Sequence, residues 1–284
     1  MLEILLNLFF TPIEKDYQVV NLKFESSLIA KVSPPPQSKE KTVIPFPGAE
    51  SVLVADLDTG EFIYEKNPDR ILPIASITKV MTGVLVLEEK NLEEIVQIPD
   101  ISTEGAKMWL KSGEKISVND LLYGLLVRSA NDAALAFSII ISNTEEEFVK
   151  KMNEKALLLG LNQTFFVNSS GLDSHKGSNV STARNLFWLS RYALKKEKFR
   201  EIVATKEKTV FSQDKKIEHH LKTTNVLLGN SITGLKTGFT DRAGECVILL
   251  LEKEGKRILS VVLNSPDRFS ESKMILETLE PYFH

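Results

Sequence analysis

The chain has little of what marks several large protein classes. Of its 284 residues one is a cysteine, Cys246. No internal disulfide can form, and a zinc site made of cysteines alone is excluded. In a strand pattern this residue reads as a small apolar side chain. Histidine is scarce as well, limited to His175, His219, His220 and His284. There is no His-Glu-x-x-His stretch, and no Asp/His cluster has metal-ligand spacing. Neither a Walker phosphate loop nor a Gly-x-Gly-x-x-Gly fingerprint occurs. A basic surplus is missing too: 35 Lys and Arg face 38 Asp and Glu, for a net charge of −3. That removes the field that drives non-specific nucleic-acid binding. Long apolar runs are absent. Residues 1–10, MLEILLNLFF, fall far short of the roughly 18 needed to span a bilayer. They lack the basic n-region of a signal peptide and carry Glu3 instead. Three readings of this run stay open: a poor export signal or anchor remnant, an interfacial tail, or an ordinary packed segment.

What is present is typical of a globular chain. Apolar residues make up 43% and charged residues 26%, near the usual averages. The length suits one or two domains and a large core. Residues 33–48 hold five of the eleven prolines, which favours a stiff, extended spacer. The division expected is therefore 1–47, an N-terminal segment and spacer, and 48–284, the main folded domain. After the spacer, apolar and polar residues alternate on either side of Asp58-Thr59-Gly60, a hairpin signal. Ile77, Val80, Met81, Val84 and Leu85 then recur at helical spacing. Residues 118–141 read as two helices meeting near Ser129. Residues 145–160 read as an amphipathic helix stopped by Gly160, and 182–196 as another helix. From about 202 the strand signal returns in four segments, the last two joined by a turn at Glu254-Gly255. A closing helix follows. Strands at both ends and helices between them predict one antiparallel sheet with a helical insert, and a cleft between the two parts.

A Ser/His/Asp triad finds no support. His284 is terminal, His175 lies in a Gly/Ser-rich loop, and His219-His220 reads as solvated surface. A serine nucleophile can instead use lysine as its base, and Ser-x-x-Lys places the two on one helix face. Five such tetrads occur, beginning at Ser38, Ser76, Ser112, Ser212 and Ser270. Only Ser76–Lys79 opens an amphipathic helix, where burial would lower the lysine pKa toward that of a general base. A plain N-cap serine beside a snorkelling lysine is the bland alternative. Ser129-Ala130-Asn131 falls at a helix junction within an apolar run. By itself it reads as a helix cap. Lys236-Thr237-Gly238 lies in a strand, where the lysine suits a carboxylate and the glycine a close backbone approach. By itself it reads as an exposed strand. Period-two alternation sends Lys236 and Thr237 to opposite faces, so both reach one groove only on a twisted edge strand.

In order, Ser76-Ile-Thr-Lys79, Ser129-Ala-Asn131 and Lys236-Thr-Gly238 resemble the three motifs of the penicillin-recognising serine enzymes. The flanks LPIASITKVMTGVL, KMNEKALLLGLNQTFFVNSSGL and GLKTGFTDRAGECVIL resemble the low-molecular-mass D-alanyl-D-alanine carboxypeptidases. The resemblance covers about residues 48–284. It implies an α/β (α+β) fold of the β-lactamase/transpeptidase type: an antiparallel sheet flanked by helices, plus an all-helical subdomain. It implies that Ser76 forms an acyl-enzyme, Lys79 takes its proton and Ser129 relays a proton to the leaving D-alanine. It gives Asn131 the substrate amide, Lys236 and Thr237 the terminal carboxylate, and Lys236 a charge that helps keep Lys79 neutral. Gly238 leaves room for the ligand, and the backbone N–H groups of Ser76 and Phe239 form the oxyanion hole. The implied partners are a peptidoglycan stem peptide ending in D-Ala-D-Ala and, as covalent inhibitors, β-lactams. No metal or organic cofactor is implied, nor any nucleic-acid partner. The implied location is outside the cytoplasmic membrane, with anchoring left to the N-terminal run and the spacer. No C-terminal β-domain of the kind many relatives carry is expected after the closing helix.

Two stretches depart from the family pattern. Asn168-Ser-Ser-Gly-Leu172 replaces a common Asn-Pro-x-Gly-Leu, and Asn179-Val180 replaces His-Tyr. Both are expected to stand apart from the three motifs. Other readings compete with a carboxypeptidase. One is an endopeptidase on D-amino-acid cross-links; another is a non-turnover β-lactam sensor or wall-binding module. A class A β-lactamase would need a Glu-x-x-Leu-Asn loop, and Glu154, the best candidate, sits in a helix pattern instead.

Overall fold

The structure is a computed structural model that describes residues 48–283, apart from 176 and 230. The expected N-terminal segment and spacer, 1–47, lie outside the described residues. The hairpin forms as the alternation predicts: β1 (Ser51–Asp56) and β2 (Phe62–Lys66) pair antiparallel. β1 also pairs with β11 (Lys256–Ser265), which continues through β10 (Gly244–Lys253) to β9 (Ile232–Thr240). The five-stranded order is β2-β1-β11-β10-β9, antiparallel throughout. Both ends of the domain thus build one sheet, and β9 forms its edge. Glu254 and Gly255 both take positive φ in the β10–β11 turn, as a tight hairpin requires.

The helical body fills the middle of the chain. A 3₁₀ turn, Ala75–Thr78, leads into α1 (Lys79–Glu89). Lys79 to Val86 are buried without a break, so α1 is the central helix of the body rather than a surface one. It packs against α2 (Val118–Leu126), α3 (Asn131–Ser142), α4 (Glu145–Leu158), α5 (Ala183–Ala193) and α6 (Glu197–Val203). The Ser117 and Thr144 hydroxyls cap α2 and α4 by accepting the N–H of Asp120 and Glu147; such caps contribute about 1 kcal/mol each. α4 ends as expected before Gly160, at φ +73°. α5 packs on β1 and β11, and α7 (Arg268–Leu279) packs on β10 and β11. The sheet is therefore covered on both faces. A small hairpin, β7 (Glu207–Phe211) with β8 (Glu218–Lys222), stands apart from it.

Two expectations need correction. Residues 202–203 are not the start of a strand; they end α6. Ile202 and Val203 favour strands locally, but with Phe199 they form an apolar i, i+3, i+4 stripe. All three are buried where α6 meets α2 and β9. Tertiary packing overrides propensity there. His219 is not solvated surface either. Its neighbour His220 keeps a side chain 76% exposed, whereas His219 is 3% exposed. The period of two in β8 turns one histidine out and the other in.

Candidate active site

Strain marks the place where the first motif begins. Ala75, at φ +45°, starts the 3₁₀ turn that presents Ser76; such backbone costs about 1–3 kcal/mol and gathers at functional sites. Ser76 is half-buried at the start of the helix, and Lys79 three residues on is fully buried. Lys79 Nζ lies 2.9 Å from Ser76 Oγ, 2.7 Å from Asn131 Oδ1 and 2.6 Å from the Ser170 carbonyl. Burial pushes the Lys79 pKa down, the Lys236 charge pushes it further, and Asp132 pulls it back up; the net lies well below an ordinary lysine. The other described tetrads differ. Ser112 and Ser270 are exposed, and the Ser212 hydroxyl donates to Asp214.

Ser129 sits between α2 and α3 at φ +60° and is 4% exposed. Its hydroxyl accepts from Lys236 Nζ at 2.8 Å, and the same amine donates to the Thr237 carbonyl at 2.8 Å. Burial, then the Arg268 charge, lower the Lys236 pKa to about 7. Asn131 opens α3 with both ends of its amide engaged, Oδ1 by Lys79 and Nδ2 by the Glu104 carbonyl at 2.8 Å. On β9 the alternation question resolves simply. Lys236 reaches Ser129, while the Thr237 hydroxyl bonds Thr224 Oγ1 at 2.6 Å. A Cβ at Gly238 would stand 3.0 Å from Ser76 N and Ile74 O, so glycine allows the edge strand to lie directly against the turn of Ser76. Phe239, next along, is 58% exposed.

The departures expected to stand apart from the motifs do not. The Ser170 carbonyl is a direct partner of Lys79, and the Ser169 carbonyl accepts from Thr82 Oγ1 at 2.6 Å. Asn179 ties this loop to the nucleophile turn: its Nδ2 donates to Thr78 Oγ1 at 2.8 Å and to the Asn168 carbonyl at 3.0 Å. Gly171, at φ +89°, lies so close that a Cβ would fall 1.9 Å from the Ala75 carbonyl oxygen. The loop thus closes the bottom of the lysine pocket with backbone oxygens, a role that side-chain motifs do not reveal.

Two charged residues were also missed. Asp132, 5% exposed, accepts backbone N–H bonds from Met108, Trp109, Leu110 and Ala133. It directly follows Asn131, and that adjacency was the signal available. Arg268, at the start of α7, donates to the Gly238 carbonyl at 2.8 Å. Nothing local to its sequence separates it from a surface arginine. His175 lies in an exposed turn, and Glu154 is exposed on α4. Cys246 is buried in β10, and burial raises its thiol pKa to about 11. Among the described residues no group of three or more His, Cys, Asp and Glu side chains is placed to hold a metal ion.

A serine hydroxyl beside a buried amine, at a helix start between a sheet edge and a helical body, is the arrangement of an acyl-transferring serine hydrolase. The sequence profile of the D-alanyl-D-alanine carboxypeptidases matches residues 39–267. The chain belongs to that family of serine peptidases, and its fold is that of the penicillin-binding DD-peptidases. It is 32% identical over 242 residues to the D-alanyl-D-alanine carboxypeptidase DacF of Bacillus subtilis, covering 82% of this chain and 61% of that one. It is 33% identical to a D-alanyl-D-alanine endopeptidase of Pseudomonas aeruginosa, covering 88% of this chain and 81% of that one. The solved D-alanyl-D-alanine carboxypeptidase of Mycobacterium tuberculosis superposes with a TM-score of 0.79 at 28% identity, covering 85% of this chain and 94% of that one. A penicillin-binding protein of Listeria monocytogenes in its ampicillin-bound form gives 0.71 at 36% identity, covering 81% and 96%.

Proposed function

We propose that residues 48–284 are the catalytic domain of a D-alanyl-D-alanine carboxypeptidase that removes the terminal D-alanine of peptidoglycan stem peptides through an acyl-enzyme on Ser76. The observation that carries this reading is the surroundings of Lys79. A neutral amine has two hydrogens and one lone pair. Asn131 Oδ1 and the Ser170 carbonyl can only accept here, so they take the two hydrogens. The lone pair is left facing the Ser76 hydroxyl. As Ser76 Oγ bonds to the carbonyl carbon, its proton passes to Lys79. The developing oxyanion is held by the backbone N–H groups of Ser76 and Phe239. The carbon–nitrogen bond then breaks, and Ser129, polarised by Lys236, relays to the departing D-alanine the proton that Lys79 had taken. Water gives a proton to Lys79 as its oxygen adds to the ester carbon, and that proton returns to Ser76 Oγ as the trimmed peptide leaves.

The substrate ends in a carboxylate, which suits the cationic edge made by Lys236 and Arg268 beside Gly238. Asn131 orients the scissile amide with the second hydrogen of its Nδ2, keeping its bonds to Lys79 and to the Glu104 carbonyl. β-Lactams, which mimic the D-Ala-D-Ala end, acylate the same serine. The substrate places the work outside the cytoplasmic membrane. Among the described residues no helix is long and apolar enough to cross one. A second reading is cleavage of D-amino-acid cross-links by the same residues. It is favoured by the endopeptidase names of the relatives in Pseudomonas aeruginosa and Escherichia coli.

Incubation with a defined pentapeptide and with a cross-linked muropeptide dimer, read by mass spectrometry, tests both. Release of D-alanine from the pentapeptide is the expected result. Conversion of dimer to monomers with an intact pentapeptide would install the endopeptidase reading. Acylation by penicillin with neither product would overturn both in favour of a non-turnover sensor.

A further inference from the structure

We propose that His219 is a positioning residue of this site: with Glu114 it fastens the connection formed by residues 104–114, whose Glu104 carbonyl holds the Asn131 amide against Lys79. The connection runs along the start of α3, and Asn131 binds it twice. The Asn131 N–H donates to the Ala106 carbonyl at 2.7 Å, and Asn131 Nδ2 donates to the Glu104 carbonyl at 2.8 Å. Asp132 gathers the N–H groups of Met108, Trp109 and Leu110 from one side. From the other side, the β7–β8 hairpin inserts His219. Its Nδ1 lies 2.7 Å from the Met108 carbonyl, and its Nε2 lies 2.6 Å from Glu114 Oε1. Both side chains of the pair are essentially inaccessible, at 2% and 0%. A hairpin that belongs to neither the sheet nor the helical body is thereby joined to the lysine pocket.

The chemistry of the pair follows from its acceptors. A carbonyl only accepts, so His219 Nδ1 carries hydrogen. Glu114 Oε2 already accepts from the Lys111 N–H at 3.0 Å. The short contact between Nε2 and Oε1 therefore holds one proton, and removing it leaves a lone pair facing a carboxylate in a buried place. Burial lowers the His219 pKa, but the Glu114 hydrogen bond and charge, the Met108 carbonyl and the Asp132 charge together raise it above the ordinary histidine value. Glu114 from the connection and Asp132 from α3 are the charges that face the ring; across the hairpin its partner is Val210. The clamp is complete below the raised pKa and weakens as pH rises through it.

Glu114→Gln separates position from charge. The glutamine oxygen accepts from the Lys111 N–H, its amide donates to His219 Nε2, and a neutral His219 still donates from Nδ1 to Met108. Every bond survives without the shared proton. His219→Gln, by contrast, cannot reach both partners.

The proposal rests on the assignment of Ser76, so its test carries a readout that does not pass through Ser76. The sequence has two tryptophans. Trp109, 66% exposed, lies within the clamped run, and Trp188 packs on Phe62 and Phe187. In a Trp188→Phe background, acrylamide quenching of Trp109 is followed against pH, and acylation by a fluorescent penicillin is timed near neutral pH. In the parent, quenching should step upward with rising pH. His219→Gln should show high quenching at every pH and acylation slower by about tenfold. Glu114→Gln should lose the step and acylate within about twofold of the parent. Unchanged quenching and acylation in His219→Gln, or a step kept in Glu114→Gln, would overturn the proposal. If the parent itself fails to acylate, the assignment of Ser76 falls while quenching still decides the clamp.

Discussion

The two faces of the sheet are built to opposite rules. Under α7 the face is largely apolar: Val52, Val54, Val247, Leu249, Leu251 and Val262 pack on Ile275, Leu279 and Phe283. On the other side, where β9 meets the turn of Ser76, two lysines are buried with pKa values pushed down. Burying a cation is unfavourable, and two of them side by side doubly so. The first face holds the fold together. The second gives up stability to hold a neutral amine beside a serine and a cationic one on the edge strand, as active sites often do.

The sharpest break of this comparison is Ser76→Ala. Penicillin acylation should fall by roughly 10⁴-fold or more, while the melting temperature moves by no more than about 2 °C. Ile275→Ala should do the reverse. A cavity under α7 costs about 2–5 kcal/mol by urea unfolding, with the acylation rate of the folded fraction unchanged. Gly171→Ala joins the two effects, since its Cβ collides with the Ala75 carbonyl. Displacing the Ser170 carbonyl should slow acylation by roughly 100-fold.

The pH profile sharpens the comparison without a mutation. Lys79 must be neutral, so the rate falls as pH drops through its depressed pKa. Lys236 acts as a cation, so the rate falls again as pH rises through about 7. A rate that keeps climbing well above pH 8 would remove Lys236 from that role. The same depression affects stability. Between about 7 and the ordinary lysine value the unfolded chain binds a proton that folded Lys236 does not. Stability should therefore rise with pH across that window. The smallest expected effect is at Cys246. Buried, with its thiol pKa raised to about 11, it should stay unmodified by iodoacetamide in the folded protein, with no change in acylation.

What could be read from the sequence follows from how local each signal is. Ser76 and Lys79 meet because a helical turn brings i and i+3 together, so their spacing was enough. The same holds for the β1–β2 hairpin and for α4. Lys236 needed its flanks, since an isolated strand lysine looks like any other. α6 was hidden because seven residues give too short a window for a period. His219 was hidden because burial in β8 depends on what the connection 104–114 places opposite it. The Ser170 carbonyl lay beyond any side-chain motif, and only the glycine after it marked a close backbone approach. Each of these depends on a partner far away in the chain.

The central claim is that Ser76 is the nucleophile. The direct measurement is the intact mass of the protein after incubation with benzylpenicillin, with peptide mapping of the adduct. One adduct, carried by the peptide containing Ser76 and lost in Ser76→Ala, is the result this account predicts. An adduct on any other residue, or labelling that survives in Ser76→Ala, would contradict it.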